Sequence, residues 1–224
     1  MGKLIVIEGL DGSGKSTQTP ILANELRRQG REVMEISFPV YKSESSALVR
    51  MYLGGEFGSR PGDVNAYAAS SFYAVDRFAS YMKDWKAFYE KPDSVIIATR
   101  YTSSNEIHQL AKLDREEWDD FVCWAEDFEY NKMGIPRPDM VLYLNMRSDI
   151  ALSLVSGRSE ATGQKKDIHE LDTAYMERCH KAAAYACGKL GWKDIVCYRN
   201  DEPLSLHEIS VKILEETVRL LDIS

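Results

Sequence analysis

Gly9-Leu10-Asp11-Gly12-Ser13-Gly14-Lys15-Ser16 is the most chemically specific stretch of this chain. It fits the spacing G-x-x-x-x-G-K-[ST], in which each residue type has a task. Glycines let successive backbone N–H groups turn inward around phosphate oxygens, and the start of the following helix adds partial positive charge. Lys15 puts a cation on the β- and γ-phosphates, and the Ser16 hydroxyl suits a Mg²⁺ ion. The stretch predicts a nucleoside triphosphate site. Three arginines, Arg50, Arg77 and Arg100, come from three separate segments. Arginine's planar fork matches phosphate oxygens; taken singly, each also reads as a surface arginine. Arg100 carries most weight because it follows the C-terminal end of a buried strand, where open α/β sheets place their ligands.

These groups need a rigid frame. Leu4-Ile5-Val6-Ile7 is a continuous apolar run, as expected of a central parallel strand buried on both faces. A helix follows over about Lys15 to Arg28, with Gly30 as its stop. Further strands are expected at Val33–Ser37, Ser94–Thr99, Met140–Leu144 and Ile195–Tyr198. Helices are expected near 45–52, 65–89, 104–110, 116–132, 149–156, 171–190 and 204–221. The last carries Leu206, Ile209, Ile213, Leu214 and Val218 on one side. Strands alternating with helices predict right-handed crossovers and a parallel sheet of about five strands covered on both faces. The chain reads as one domain over 1–224. The polar segment from Gly157 to Asp167 lacks periodicity and reads as a loop.

Composition narrows the classes. The net charge is −7 with no strong basic patch, which argues against nonspecific nucleic-acid binding. No run approaches the roughly 18 to 20 apolar residues that span a bilayer, so no membrane role is expected. Cys123, Cys179, Cys187 and Cys197 form no CxxC pair and read as reduced thiols in a reducing, cytoplasmic setting. There is no N-K-x-D guanine motif, and the chain is short for a motor or transporter ATPase. Small kinases remain.

Within that class the chain resembles the thymidylate kinases, which phosphorylate dTMP to dTDP. The resemblance spans about residues 3 to 220. It rests on the phosphate loop through Thr17 with Asp11 inside it, on Phe38-Pro39, and on Leu48-Val49-Arg50. Tyr73-Ala74-Val75-Asp76-Arg77 is similar to the family's F-A-A-D-R, and Arg100-Tyr101 through Gln109 to D-R-Y-x-x-S-x-x-A-Y-Q. Gly157-Arg158 through Glu170 is similar to the family's mobile lid, closing on D-x-x-E. The resemblance implies a three-layer P-loop kinase fold with a lid at about 157–170. It implies that Gly9, Gly12, Ser13, Gly14, Lys15, Ser16 and Thr17 bind ATP. Arg50 and Arg100 would hold the dTMP phosphate, Arg77 would bond the base, and Phe38 would lie beside the acceptor. Tyr73 would stack on thymine, with adjacent Phe72 able to serve instead; Ser104, Asn105 and His108 would line the base and sugar pocket. Asp11 would sit between donor and acceptor and orient Arg50 or Arg100.

No basic residue stands inside the phosphate loop ahead of Lys15, so the resemblance implies a lid cation: Arg158 first, then Lys165 or Lys166, with Asp167 and Glu170 closing the segment. One position departs from the pattern. The aspartate of D-R-Y is Thr99 here. That carboxylate would help hold Mg²⁺ through water. Either Glu8 and Asp11 take over, or activity is weakened, or the position carries an Asp→Thr change. The resemblance also implies a homodimer, with the aromatics of 65–89 (Trp85, Phe88) and 116–132 (Trp118, Phe121, Trp124) as a face, unless they pack in the core. A deoxynucleoside kinase or another nucleotide kinase on the same fold, or a nucleotide binder without useful catalysis, are the alternatives. An acceptor without a phosphate would leave the three arginines without a task.

Overall fold

Strands that are apolar on both faces can only be buried between two layers of helices, and that is the architecture found. A computed structural model describes residues 1–154 and 172–222. The expected lid, with Arg158, Lys165, Lys166, Asp167 and Glu170, lies outside the described residues. Strands β1 (Lys3–Glu8), β2 (Val33–Ser37), β3 (Val95–Thr99), β4 (Met140–Asn145) and β5 (Lys193–Val196) form a parallel sheet in the order β2-β3-β1-β4-β5. The order reverses between β3 and β4 on either side of β1, the kind of switch point at which such sheets bind ligands.

The two faces of β1 divide the molecule. Ile5 and Ile7, with Ile97, Leu142 and Leu144, pack against Leu22, Ala23 and Leu26 of α1 (Lys15–Arg28) and Ile209 and Ile213 of α9 (Leu206–Asp222). A helical stretch at 148–154, α7, adds Ile150 and Ala151 to this layer. Leu4 and Val6, with Ile96, Ala98, Val141 and Tyr143, face the other layer. It comprises α2 (Ala47–Leu53), α3 (Ala66–Ser80), α4 (Lys86–Tyr89), α5 (Ser103–His108), α6 (Trp118–Glu126) and α8 (Thr173–Leu190). Each buried aliphatic side chain contributes about 1.5–3 kcal/mol, so both faces hold the strands that end at the site.

Four expectations change. The fifth strand is Lys193–Val196, not Ile195–Tyr198. Only Ile195 of its four residues is buried, so an edge strand left little pattern. Tyr198–Arg199 pairs antiparallel with Glu202–Pro203 as a separate hairpin. In α9 the buried stripe is Ile209, Ile213, Thr217 and Leu221, while Leu206 is exposed. The 65–89 helix is interrupted by a π-helical turn at Tyr81–Trp85, and 116–132 ends in another at Asp127–Lys132. Finally, Trp85, Trp118 and Phe121 are buried in the core, with Phe88 and Trp124 packed partly buried against it. Their role is packing rather than an outer face.

Candidate active site

The phosphate loop joins β1 to α1. Gly12 has φ +85°, and a Cβ there would stand 2.5 Å from the carbonyl oxygen of Ala151, so only glycine fits against α7. Helix α1 begins after Gly14 with no side-chain cap and no acid in its first turn. Its first N–H groups and positive dipole end are left for an anion. Lys15 Nζ donates to the carbonyl oxygens of Gly9 (2.7 Å) and Leu10 (2.9 Å) and lies 3.7 Å from Asp11 Oδ1. The cation already arches over its own loop. Ser16 is exposed on the first turn, and Thr17 is half-buried. Ser13 is buried, and its Oγ has no partner among the described residues.

Past the end of β3, Arg100 adopts a left-handed backbone, φ 64°, sparsely populated outside glycine. Its N–H donates to Ile7 O (3.1 Å), fixing the turn to β1. Its guanidinium reaches Asp11 Oδ1 at 2.5 Å, stands 3.8 Å from Glu8 Oε1, and donates to His108 Nε2 at 3.3 Å. Burial pulls its pKa down, but Asp11 and Glu8 outweigh it and hold the cation above its ordinary value. Because arginine only donates, His108 Nε2 accepts, and Nδ1 carries the hydrogen toward Cys179 Sγ at 3.6 Å. Burial pushes the Cys179 thiol up to about 12. His108 is thus a pocket residue held between two partners.

Glu8 and Thr99 end neighbouring strands on opposite faces. Glu8 is fully buried and accepts from Ser103 and Ser104 Oγ (both 2.7 Å) and from Gly9 N (2.9 Å). It braces α5 and Arg100, and its lone pairs are engaged there rather than on the α1 side where Ser16 lies. Thr99 faces α1, with its Oγ1 2.7 Å from that of Thr19, one turn beyond Ser16. Between Glu8 and Thr99, only Thr99 stands on the Ser16 face.

An open cleft lies beside Asp11 and Arg100. Phe38, Tyr73, Arg77, Ser104, Asn105 and His108 also line it, so eight of the nine residues expected around an acceptor meet there. Of Phe72 and Tyr73, Tyr73 lines the cleft while also meeting the Tyr52 ring edge-on; Phe72 does not line it and packs with Tyr52 and Phe57 in a side cluster. Arg50 is the exception. Its Nη1 donates to Tyr41 O, Ser43 O (both 2.7 Å) and Ser46 Oγ (2.8 Å), so it braces the 41–46 loop and does not line the cleft. Asp76 supports the same loop, accepting from Val40 N and Ser45 Oγ at 2.7 Å. Arg77 is buried, and its cause for staying charged is Glu129, which overcomes the desolvation that would lower its pKa.

The sequence reading missed Tyr41 and Glu129, and it named Gln109 only as the end of the Arg100–Gln109 motif, with no role. Gln109 lines the cleft, is 1% exposed, and has no partner for either amide atom among the described residues. Its position one helical turn after Asn105 was the available signal, since both side chains fall on one face.

Chemically, the arrangement is a phosphate cradle and an aromatic-and-amide cleft joined by the Asp11–Arg100 pair. A family model described as thymidylate kinase matches residues 7–189. The chain is 31% identical over 192 residues to the thymidylate kinase of Mycobacterium tuberculosis, covering 84% of this chain and 87% of that protein. It is 32% identical over 186 residues to a probable thymidylate kinase of Thermococcus gammatolerans, covering 82% and 84%. The solved thymidylate kinase of Candida albicans superposes with a TM-score of 0.72 at 20% identity, over 98% of this chain and 93% of that one, which shows the shared fold. With the cradle, the cleft and the matched sequence in agreement, the chain belongs to the thymidylate kinase family.

Proposed function

We propose that this protein transfers the γ-phosphoryl group of ATP to the phosphate of dTMP, giving ADP and dTDP. The observation that carries the reading is the Arg100–Asp11 pair, which puts an arginine where the cleft meets the phosphate loop. Phosphoryl transfer needs alignment and charge neutralisation more than covalent chemistry. The loop N–H groups and Lys15 bind the donor phosphates, Arg100 binds the acceptor phosphate, and Tyr73 and Phe38 flank the base. Asp11 aims Arg100. Arg158 is the lid cation the sequence offers for the transferring group. A coupled assay with dTMP, dUMP, dCMP and thymidine tests the assignment. A clear preference for thymidine over dTMP would overturn it.

The oxygen donors near the loop fit a hard cation: Ser16 exposes its hydroxyl and Thr99 stands on the same face. Bound Mg²⁺ would neutralise charge on the donor phosphates. Thr99→Asp is expected to lower the Mg²⁺ concentration for half-maximal rate several-fold and to raise turnover. At roughly 5 Å and an effective dielectric of about 20, a unit charge against a dication is worth several kcal/mol before desolvation. A Mg²⁺ titration of initial rate at saturating substrates measures this; an unchanged midpoint and plateau would remove Thr99 from the metal's surroundings.

Gln109 gives a second check on the cleft. A buried unsatisfied amide destabilises by about 1–3 kcal/mol. Gln109→Met should therefore raise the ligand-free melting temperature by about 2–12 °C while raising KM for dTMP. Calorimetry and steady-state kinetics read the two effects, and a lower melting temperature with unchanged KM would make Gln109 a packing residue only.

A homodimer and a cytoplasmic setting belong to the same reading. Val75, Phe78 and Met82 are exposed at helical spacing along one side of α3 and its π-helical extension, and they supply the apolar face that the buried tryptophans do not. Among the described residues no helix is long and apolar enough to cross a membrane.

A further inference from the structure

Glu129 belongs to no motif, yet it holds two residues that line the cleft. It sits in the π-helical turn Asp127–Lys132, a geometry that recurs at functional sites. Its Oε2 accepts from Arg77 Nε at 2.7 Å, and its Oε1 accepts from Arg77 Nη2 at 2.6 Å and from Asn105 Nδ2 at 3.0 Å. All three residues are 1% exposed. Arg77 and Asn105 line the cleft, and Glu129 stands behind them.

A carboxylate only accepts hydrogen bonds. The Asn105 nitrogen must therefore face Glu129, and flipping the amide would set oxygen against oxygen. Ser70 O, 3.4 Å from Nδ2, holds the nitrogen on the same side. Oδ1 is left as an acceptor with no protein donor on it among the described residues. Arg77 is fixed likewise. Glu129 engages Nε and Nη2, Tyr101 O takes one hydrogen of Nη1 at 3.2 Å, and the N–H groups left over are donors. The wall thus carries one acceptor and one donor in an order set by Glu129.

We propose that Glu129 is the positioning residue that fixes this acceptor–donor order, on which the reading of the base by Asn105 and Arg77 depends. Thymine and uracil match: N3–H donates to Asn105 Oδ1 and the carbonyl accepts from Arg77. Cytosine in the same pose fails at both atoms, because its N3 is a bare acceptor and its neighbour is an amino donor. A site built on buried amide and guanidinium groups rejects the mismatched partner strongly, since its own groups are left unpaired. The inference rests on the cleft being the acceptor-nucleotide site.

The test measures kcat and KM for dTMP and dCMP in the wild type, Glu129→Gln and Glu129→Asp. A glutamine must present a donor to one of its two partners, which frees Asn105 to flip. KM for dTMP should rise about tenfold with kcat within about threefold, and the dTMP/dCMP ratio of kcat/KM should fall at least about tenfold. Glu129→Asp keeps the charge beside buried Arg77, and so the fold, but is one methylene too short to meet both partners; its ratio should fall less, between the other two. If the wild type prefers dTMP and the ratio holds within twofold in the folded variants, Glu129 is structural and the proposal is wrong. If Glu129→Gln does not fold, the Glu129→Asp ratio alone decides. A wild type with no dTMP preference over dCMP would instead overturn the acceptor assignment, and this proposal with it.

Discussion

Replacing Lys15 with alanine is expected to lower turnover by about 10²- to 10³-fold or more while the protein stays folded. Removing one preorganised group that stabilises charge developing in the transition state costs about 2.7–4 kcal/mol. Lys15 is such a group: its Nζ lies over the Gly9 and Leu10 carbonyls, at the mouth of the cradle where donor phosphates enter. The fold does not depend on it. Helix α1 is anchored by Leu22, Ala23 and Leu26 against the sheet, more than a turn away from the loop. Circular dichroism and the melting temperature should therefore change little. Binding of a fluorescent ATP analogue should weaken but remain measurable, since the loop N–H groups and the α1 dipole persist. Turnover within tenfold of the wild type would mean that phosphoryl transfer does not run through this loop.

What could be read without coordinates followed from how local each signal is. The strands β1 to β4 are apolar runs, and such runs need no partner to be recognised. The edge strand β5 buries one residue of four and was placed two residues late. The phosphate loop was legible because its chemistry is consecutive in the chain. Residues of the cleft were legible where a motif carried them, but motifs do not give side-chain direction. Arg50 belongs to the expected segment and still turns to the carbonyls of Tyr41 and Ser43. Glu129 was invisible for the opposite reason: its partners lie 52 and 24 positions away, and nothing local distinguishes it from the other acids of that helix. Trp85, Trp118 and Phe121 show that large aromatics at helical spacing do not say which side of a helix is covered.

Arg100→Ala is expected to reduce kcat/KM for dTMP by at least about 100-fold, with KM for ATP within about threefold. Loss of a hydrogen bond to a charged group accounts for about 1.5–3 kcal/mol. The surroundings add to this. Arg100 now offsets Asp11 at 2.5 Å and Glu8 at 3.8 Å. Without it, the Asp11 carboxylate lines the cleft beside the incoming acceptor phosphate with buried Glu8 behind it, and each unit repulsion at roughly 5–6 Å is worth about 3 kcal/mol at an effective dielectric of about 20 before screening. Attraction becomes repulsion, so the combined loss exceeds the roughly 2.7 kcal/mol that a hundredfold change requires. Two further variants separate this from backbone effects. Arg100→Gly relieves the left-handed strain at φ 64° yet should be as impaired as the alanine variant. Adding Asp11→Asn to Arg100→Ala removes one repelling charge and should recover part of the loss. Thymidine, which has no phosphate to meet Arg100, should be a very poor substrate for the wild type and should not fall in parallel with dTMP in Arg100→Ala. If thymidine and dTMP are used equally well by the wild type, or if Arg100→Ala leaves dTMP untouched, the cleft does not read a phosphate and the acceptor is an unphosphorylated nucleoside.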